Sequence, residues 1–335
     1  MSHRIGKRTI ELDRQIYILS SAGVAGNKES NGPLVNYFDE VYSDDLLGEK
    51  SWEKAESRLQ KNAADAAIRK AGISAENIDV VFAGDLLNQC ISSVFGLYSL
   101  GIPFAGQYGA CSTMAQAMLM SALLTDSGAV NYALAVSSSH FCSAERQFRL
   151  PIEYGGQRNL TSQWTVTGAG AAIITGEKGI CRIEHVLIGR IIDMKIKDAN
   201  NMGAAMAPAA ADSILSYLKD TSTKPEDYDL ILTGDLGFLG SELLVSLCKK
   251  EGVDITSHHN DCGMIIFDRE KQDVHAGGSG CGCCASVFCS KIMQQLKSGE
   301  LSNILFAATG ALMSPTSSQQ GESIPGISHL IHIRR

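Results

Sequence analysis

Cys111 stands in the turn Gly109-Ala-Cys-Ser-Thr113, between a strand-like segment (102–104, then Gly106) and a helical stretch of small residues and methionines. A thiol at a helix N-terminus faces unpaired backbone N–H groups and the positive end of the dipole, which favours thiolate. The same N–H groups can hold an oxyanion or a carboxylate. The competing reading is a small, buried, inert cysteine. Further on, His140, Glu145, Arg146 and Arg149 fall within ten positions. Guanidinium forks grip carboxylates bidentately, unless these arginines close internal ion pairs with Glu145 or Glu153. The run Cys281-Gly-Cys-Cys284, with Cys262 and Cys289 nearby, invites a metal reading. Zinc and iron–sulfur ligands come instead as C-x₂₋₄-C pairs on loops, so a C-x-C-C run opening a helix reads as packing and no metal is expected. His258 and His259 read as a turn at a strand edge, with His259 a candidate to line a pocket.

These residues need elements to hold them, and the chain supplies the same set twice. Glu76-Asn-Ile-Asp-Val-Val-Phe-Ala-Gly-Asp-Leu86 and Glu226-Asp-Tyr-Asp-Leu-Ile-Leu-Thr-Gly-Asp-Leu236 agree at five of eleven positions, with the apolar run in the same place. Each is a short buried-strand pattern ended by Gly-Asp. A helical stretch precedes each, 52–71 and 207–218. Downstream, the turn at Cys111 opens a helix that stops at Ser127-Gly128 before a strand at 132–136. Gly280-Cys-Gly-Cys-Cys-Ala285 opens another that stops at Ser298-Gly299 before a strand at 304–307. Strand, small-residue turn, helix, glycine stop and strand thus recur in order, which predicts an internal duplication. Asp85 and Asp235 end equivalent strands, and capping of the next turn is the simpler role for both. Alternating strands and helices predict a largely parallel α/β arrangement covered by helices. Its two pseudo-symmetric halves, 1–175 and 176–335, divide near Gly176 to Gly179.

Bulk properties agree. A chain of 335 residues with 44% hydrophobic and 19% charged residues builds a substantial globular core. Its 33 glycines suit many strand-to-helix turns rather than a helical bundle. A net charge of −7 argues against a nucleic-acid surface. No apolar run reaches the roughly 20 residues that span a bilayer, and the polar N-terminal stretch lacks the apolar core of a secretory signal. The expectation is an intracellular chain whose ten cysteines are reduced thiols.

A cysteine at such a strand-to-helix turn resembles the thiolase superfamily, including ketoacyl synthase III enzymes. Thr165-Val-Thr-Gly-Ala-Gly-Ala-Ala172 is similar to the Gly-rich strand entry closing their first half. Gly280-Cys-Gly-Cys-Cys-Ala-Ser286 is similar to their Gly-Asn-x-x-x-Ala-Ser segment. Longer strings narrow the resemblance to the stage V sporulation protein AD family. Among them are Ala83-Gly-Asp-Leu-Leu-Asn-Gln89, Ala144-Glu-Arg-Gln-Phe-Arg149, Glu153-Tyr-Gly-Gly-Gln157, Met206-Ala-Pro-Ala-Ala-Ala-Asp212, His259-Asn-Asp-Cys-Gly263 and Ala308-Thr-Gly-Ala-Leu-Met-Ser-Pro315. The resemblance implies a thiolase-like fold, layered α-β-α-β-α. Condensing enzymes of this fold pair the cysteine with a His and an Asn or second His. Here the stretch 233–241 holds no His, Asp235 falls close to where that His would be, and Cys281 stands at the Asn position. Gly310 occupies the region where the fold supplies a second oxyanion N–H, although close packing explains it equally.

The resemblance therefore implies a non-enzymatic binder of dipicolinic acid (pyridine-2,6-dicarboxylate) or its calcium chelate, supporting uptake into the developing spore. No cofactor is expected. The ligand site would draw on Cys111, His140, Arg146, Arg149, Asp235, His259, Cys281 and Gly310. The implied partners are the other stage V sporulation A membrane proteins and a second copy of the chain, at a cytoplasmic or peripheral inner-spore-membrane location. Two alternatives stand beside it: an acyl-transfer enzyme using Cys111, and a scaffold that binds no small molecule.

Overall fold

The computed structural model describes residues 2–148 and 158–335. Ten strands form the main path of one mixed sheet: Thr9–Ala25 (β1), Val80–Gly84 (β2), Phe104–Gly106 (β3), Tyr132–Ser139 (β4), Gly168–Thr175 (β5), Cys181–Leu187 (β6), Leu230–Thr233 (β7), His259–Asp261 (β8), Asn303–Ala311 (β9) and Gly326–Arg334 (β10). Their order is β8-β7-β9-β10-β6-β1-β5-β4-β2-β3. β1 and β6 pair antiparallel at the centre. Outward from each come two further antiparallel pairings, then two parallel ones. The strands whose sequences echo each other, β2 and β7, hold equivalent places in that order. Their lead-ins match as well: each is a single 3₁₀ turn, Ala75–Asn77 and Pro225–Asp227. The side chain at the end of each turn reaches back to a backbone N–H, Asn77 to Ser74 and Asp227 to Lys224, at 2.9 and 2.8 Å.

Six helices organise the layers: Trp52–Ala71 (α1), Thr113–Asp126 (α2), Phe141–Phe148 (α3), Met202–Thr221 (α4), Gly237–Lys250 (α5) and Cys281–Val287 (α6). α6 runs on through a π-helical turn, Phe288–Ile292, into Met293–Ser298. α1 covers one outer face, where Leu59, Ala63 and Ala67 pack on Val81, Leu134 and Ala171. α4 and α5 cover the other, where Ile214, Tyr217 and Leu244 meet Ile231, Leu305 and Leu330. α2 and α6 lie between, because α2 touches β2 and β4 on one side and β9 and β10 on the other. The continuous sheet is thus folded over a central helix pair, giving the expected five layers. Phe288 and Phe306 stack in that middle layer with centroids 4.6 Å apart.

The sheet is not largely parallel as expected: five of its nine main-path pairings are antiparallel. The strands expected at 132–136 and 304–307 run on to Ser139 and Ala311. Two further boundary differences concern the site. The strand before Cys111 starts at Phe104, since Pro103 has no N–H to give a ladder; its carbonyl accepts from Val81 N at 2.8 Å. α4 starts at Met202, well before 207, because the Asn201 side chain caps Ala204 N at 3.2 Å. The extra helical turns carry Met202 and Met206 to the pocket described below.

Candidate functional site

The Cys111 turn is tied by hydroxyls on its own chain. Ser112 Oγ donates to Gly109 O and Thr113 Oγ1 to Ala110 O, both at 2.6 Å. Ala110 sits at φ +51, a left-handed conformation costing a non-glycine residue roughly 1–2 kcal/mol. β9 presses on this turn: a Cβ on Gly310 would lie 2.4 Å from Gly109 O. Close backbone approach is therefore reason enough for glycine there.

Above the turn opens a cavity of about 390 Å³. Tyr108, Phe148, Met202, Met206 and Met313 give it an apolar wall. Asn88, Glu145, Thr165, Ser279 and Ser314 supply its polar groups, and Cys111 lines it directly. Behind Cys111 lies Asp235, fully buried at the exit of β7. Its carboxyl accepts from Gly280 N at 2.8 Å, Thr309 Oγ1 at 3.1 Å and Ser279 Oγ at 3.3 Å, and it shares a hydrogen bond with the Cys111 thiol. Burial pushes this carboxyl up to about 7 despite those donors. Burial likewise drives the Cys111 thiol well above its ordinary value, reinforced by the Asp235 charge and by Cys281. The thiolate expected from the helix end is therefore not what this setting favours: desolvation and a neighbouring carboxylate outweigh the dipole.

Cys281 is fully buried beside the same turn, its Sγ 2.9 Å from Ser138 O. Cys283 and Cys284 direct their thiols to the carbonyls of Gly234 and Cys111, at 3.8 and 3.5 Å. The three thiols of the run thus each face a different backbone carbonyl, the one facing Cys284 belonging to the turn.

Three further candidates, His140, Arg146 and His259, are not among the residues lining the cavity. His140 is a buried pin: Nε2 donates to Asp45 O at 2.7 Å, and Nδ1 accepts from Cys142 N at 3.1 Å. Burial lowers its pKa, keeping it neutral. Arg146 pairs with Glu53 and lies over the Trp52 ring, 4.9 Å from its centroid; Glu153 lies outside the described residues. His259 is on the edge strand β8, with Nε2 2.9 Å from Thr233 Oγ1, and burial pushes it down to about 4. Arg149 lies outside the described residues. Asp85 follows the capping reading, accepting from Leu87 N and Ser93 N at 2.8 Å.

Cys111 thus lines the cavity with Asp235, Cys281 and Gly310 packed around its turn, while His140, Arg146 and His259 hold the fold together elsewhere. Sequence reasoning missed Tyr108, Asn88, Phe148, Met202 and Met313. It also missed Glu56, wholly buried and accepting from Ser138 and Ser143 at 3.1 and 2.7 Å. A charged residue on the face that also carries Ala55, Leu59 and Ala63 was the available signal for Glu56. The pocket methionines carried none.

Comparison with known proteins agrees with this geometry. The model of the family described as stage V sporulation protein AD matches residues 6–334. Stage V sporulation protein AD of Bacillus subtilis (strain 168) is 43% identical over 330 residues, covering 98% of this chain and 97% of its own. Among solved structures, ChlB3, an acyltransferase, superposes with a TM-score of 0.59 at 14% identity, over 96% of this chain and 97% of its own. 3-Oxoacyl-[acyl-carrier-protein] synthase III from Aquifex aeolicus VF5 gives 0.52 at 13% identity, over 98% and 100%. Likeness at that level shows the fold, which is thiolase-like.

Proposed function

The chain belongs to the stage V sporulation protein AD family, and from that premise we propose that it is a binding protein for dipicolinic acid or its calcium chelate. It holds the ligand in the Cys111 cavity for uptake into the developing spore. The observation that carries this reading is the cavity itself, whose size falls within the range of small-molecule sites. Tyr108 and Phe148 offer faces for a pyridine ring. Cys111, Ser279, Thr165 and Ser314 offer neutral hydrogen-bonding groups.

A binding role rather than catalysis is supported by the state of the thiol. Cys111 has a buried carboxyl as neighbour in place of an imidazole that would take its proton and pair with the thiolate as a cation, and the charge of that carboxyl raises the thiol further. The proposed assembly includes a second copy of the chain. Phe95, Tyr98, Phe104 and Tyr108 are exposed at or near β3, which among the described residues is an edge strand paired on one side and offers an apolar surface. The other stage V sporulation A proteins are the proposed membrane partners. Among the described residues no helix is long and apolar enough to cross a membrane.

Calorimetric titration with pyridine-2,6-dicarboxylate, with and without calcium, tests the reading on the wild type and on Met313→Trp, which fills the cavity. Saturable binding lost in the variant is expected. Binding undiminished in Met313→Trp would place the ligand elsewhere, and a folded wild type that binds nothing would leave a scaffold. Acyl transfer is the second reading, favoured by the position of Cys111 on the cavity wall. An acetyl adduct on Cys111 after incubation with acetyl-CoA, seen by intact mass and absent in Cys111→Ala, would establish it.

A further inference from the structure

Asp235 is a carboxyl placed one side chain behind the wall of a cavity proposed to take an anion. Three donors reach it: Gly280 N, Thr309 Oγ1 and the Oγ of Ser279, which itself lines the cavity. It also shares a hydrogen bond with the Cys111 thiol, and Cys111 and Ser279 are the side chains that separate it from the cavity. A ligand carboxylate resting on Cys111 would therefore face the Asp235 carboxyl across a single sulfur atom, with water excluded. Two negative charges so placed repel strongly, because little solvent screens them.

We infer that the aromatic dicarboxylate binds together with one proton, which is taken from solvent and held on the Asp235 carboxyl. The inference rests on the ligand reading given above. Protonated Asp235 donates to Cys111 Sγ, and the Cys111 S–H turns to the ligand, so one proton converts a repulsive wall into a chain of donors.

The surroundings fit this role. The titratable groups facing Asp235 are the Cys111 thiol from the turn, Cys281, Cys283 and Cys284 from α6, and Cys262 and Asp261 from the end of β8. All five thiols are held well above their ordinary value by burial, hence neutral. Asp261 is engaged by Leu236 N and Gly237 N, both at 2.9 Å, and by Thr233 Oγ1 at 2.6 Å. It adds to the load of buried acid rather than relieving it, and His259 behind Thr233 is kept neutral by burial. Asp85 and Glu56 share Cys281 with Asp235 as a common neighbour. Burial brings Asp235 itself to about 7, whereas the ligand's carboxyls, ordinary in water, are ionised well below that.

The test is titration calorimetry with pyridine-2,6-dicarboxylate at pH 6, 7 and 8, repeated in buffers of different ionisation enthalpy to count protons. Affinity should be about tenfold weaker at pH 8 than at pH 6, with uptake at pH 8 approaching one proton per ligand. Asp235→Asn should bind at pH 8 about as tightly as the wild type does at pH 6, with no slope and no uptake. A wild type that binds with a flat profile and no proton uptake overturns the linkage while leaving the receptor reading intact. The same slope retained in Asp235→Asn also overturns it, assigning the proton elsewhere. No binding at any pH removes both. The proton count is made on the wild type, so the test holds whether or not the variant folds.

Discussion

Glu29→Gln should make the protein more stable at neutral pH, by an amount that grows with pH. Glu29 is fully buried in the short helix Asn27–Ser30. Its Oε1 accepts from Thr167 N at 3.0 Å, while Oε2 is buried with no hydrogen-bond partner among the described residues. Burial pushes the carboxyl from 4.5 up to about 8, against the pull of the Thr167 N–H; Asp45 adds to the rise and Lys28 opposes it. The folded state thus binds a proton that the unfolded state has released, so the contribution is fully favourable below about 4.5 and is lost as pH climbs toward 8. Each unit is worth about 1.4 kcal/mol, so at pH 7 folding costs roughly 3 kcal/mol for this one group. Glutamine carries no such proton. Urea unfolding of both proteins at half-unit steps from pH 5 to 7.5 should show the variant gaining on the wild type by about 1.4 kcal/mol per unit. Parallel stability curves would refute the reasoning, because they would mean that Glu29 ionises alike in both states.

Acid should act in the opposite direction. Burial depresses His259 and His329 to about 4 and His332 to about 3, so their stabilising neutral forms are fully present above about 6.5 and lost as pH falls. Thermal midpoints should drop between pH 6.5 and 4.5, and His332→Asn should flatten that drop; an unchanged acid limb in the variant would contradict it. Gly310→Ala forces a methyl to 2.4 Å from Gly109 O and should cost about 1–3 kcal/mol in chemical denaturation while weakening ligand binding. A variant as stable as the wild type would show that the turn yields freely. Arg146→Ala removes a half-exposed ion pair with Glu53 and should change stability by less than about 1 kcal/mol. It should leave ligand affinity unchanged by calorimetry; a tenfold loss would bring Arg146 to the ligand.

Much of the architecture is legible in local sequence. The repeat around Asp85 and Asp235 marks equivalent strands because a buried run ended by Gly-Asp is a local pattern. α1 is bounded correctly at 52–71, since Ser51 and Gly72 are local start and stop signals, the first accepting from Lys54 N at 3.4 Å and the second at φ +71. The thiolase-like fold and the family likewise follow from strings of neighbouring residues.

The site is only partly legible there. His140, Arg146 and His259 stand out by their chemistry, but the direction of a side chain depends on partners distant in sequence: Asp45 for His140, Glu53 and Trp52 for Arg146, Thr233 for His259. The protonation of Cys111 depends on Asp235, 124 positions away, brought up by folding the second half of the sheet onto the first. Residue type and local spacing therefore determined the elements and the cysteine's place at a turn. Burial and long-range neighbours, properties of the assembled layers alone, decided that this cysteine is a neutral thiol on an apolar cavity rather than a thiolate at a helix end.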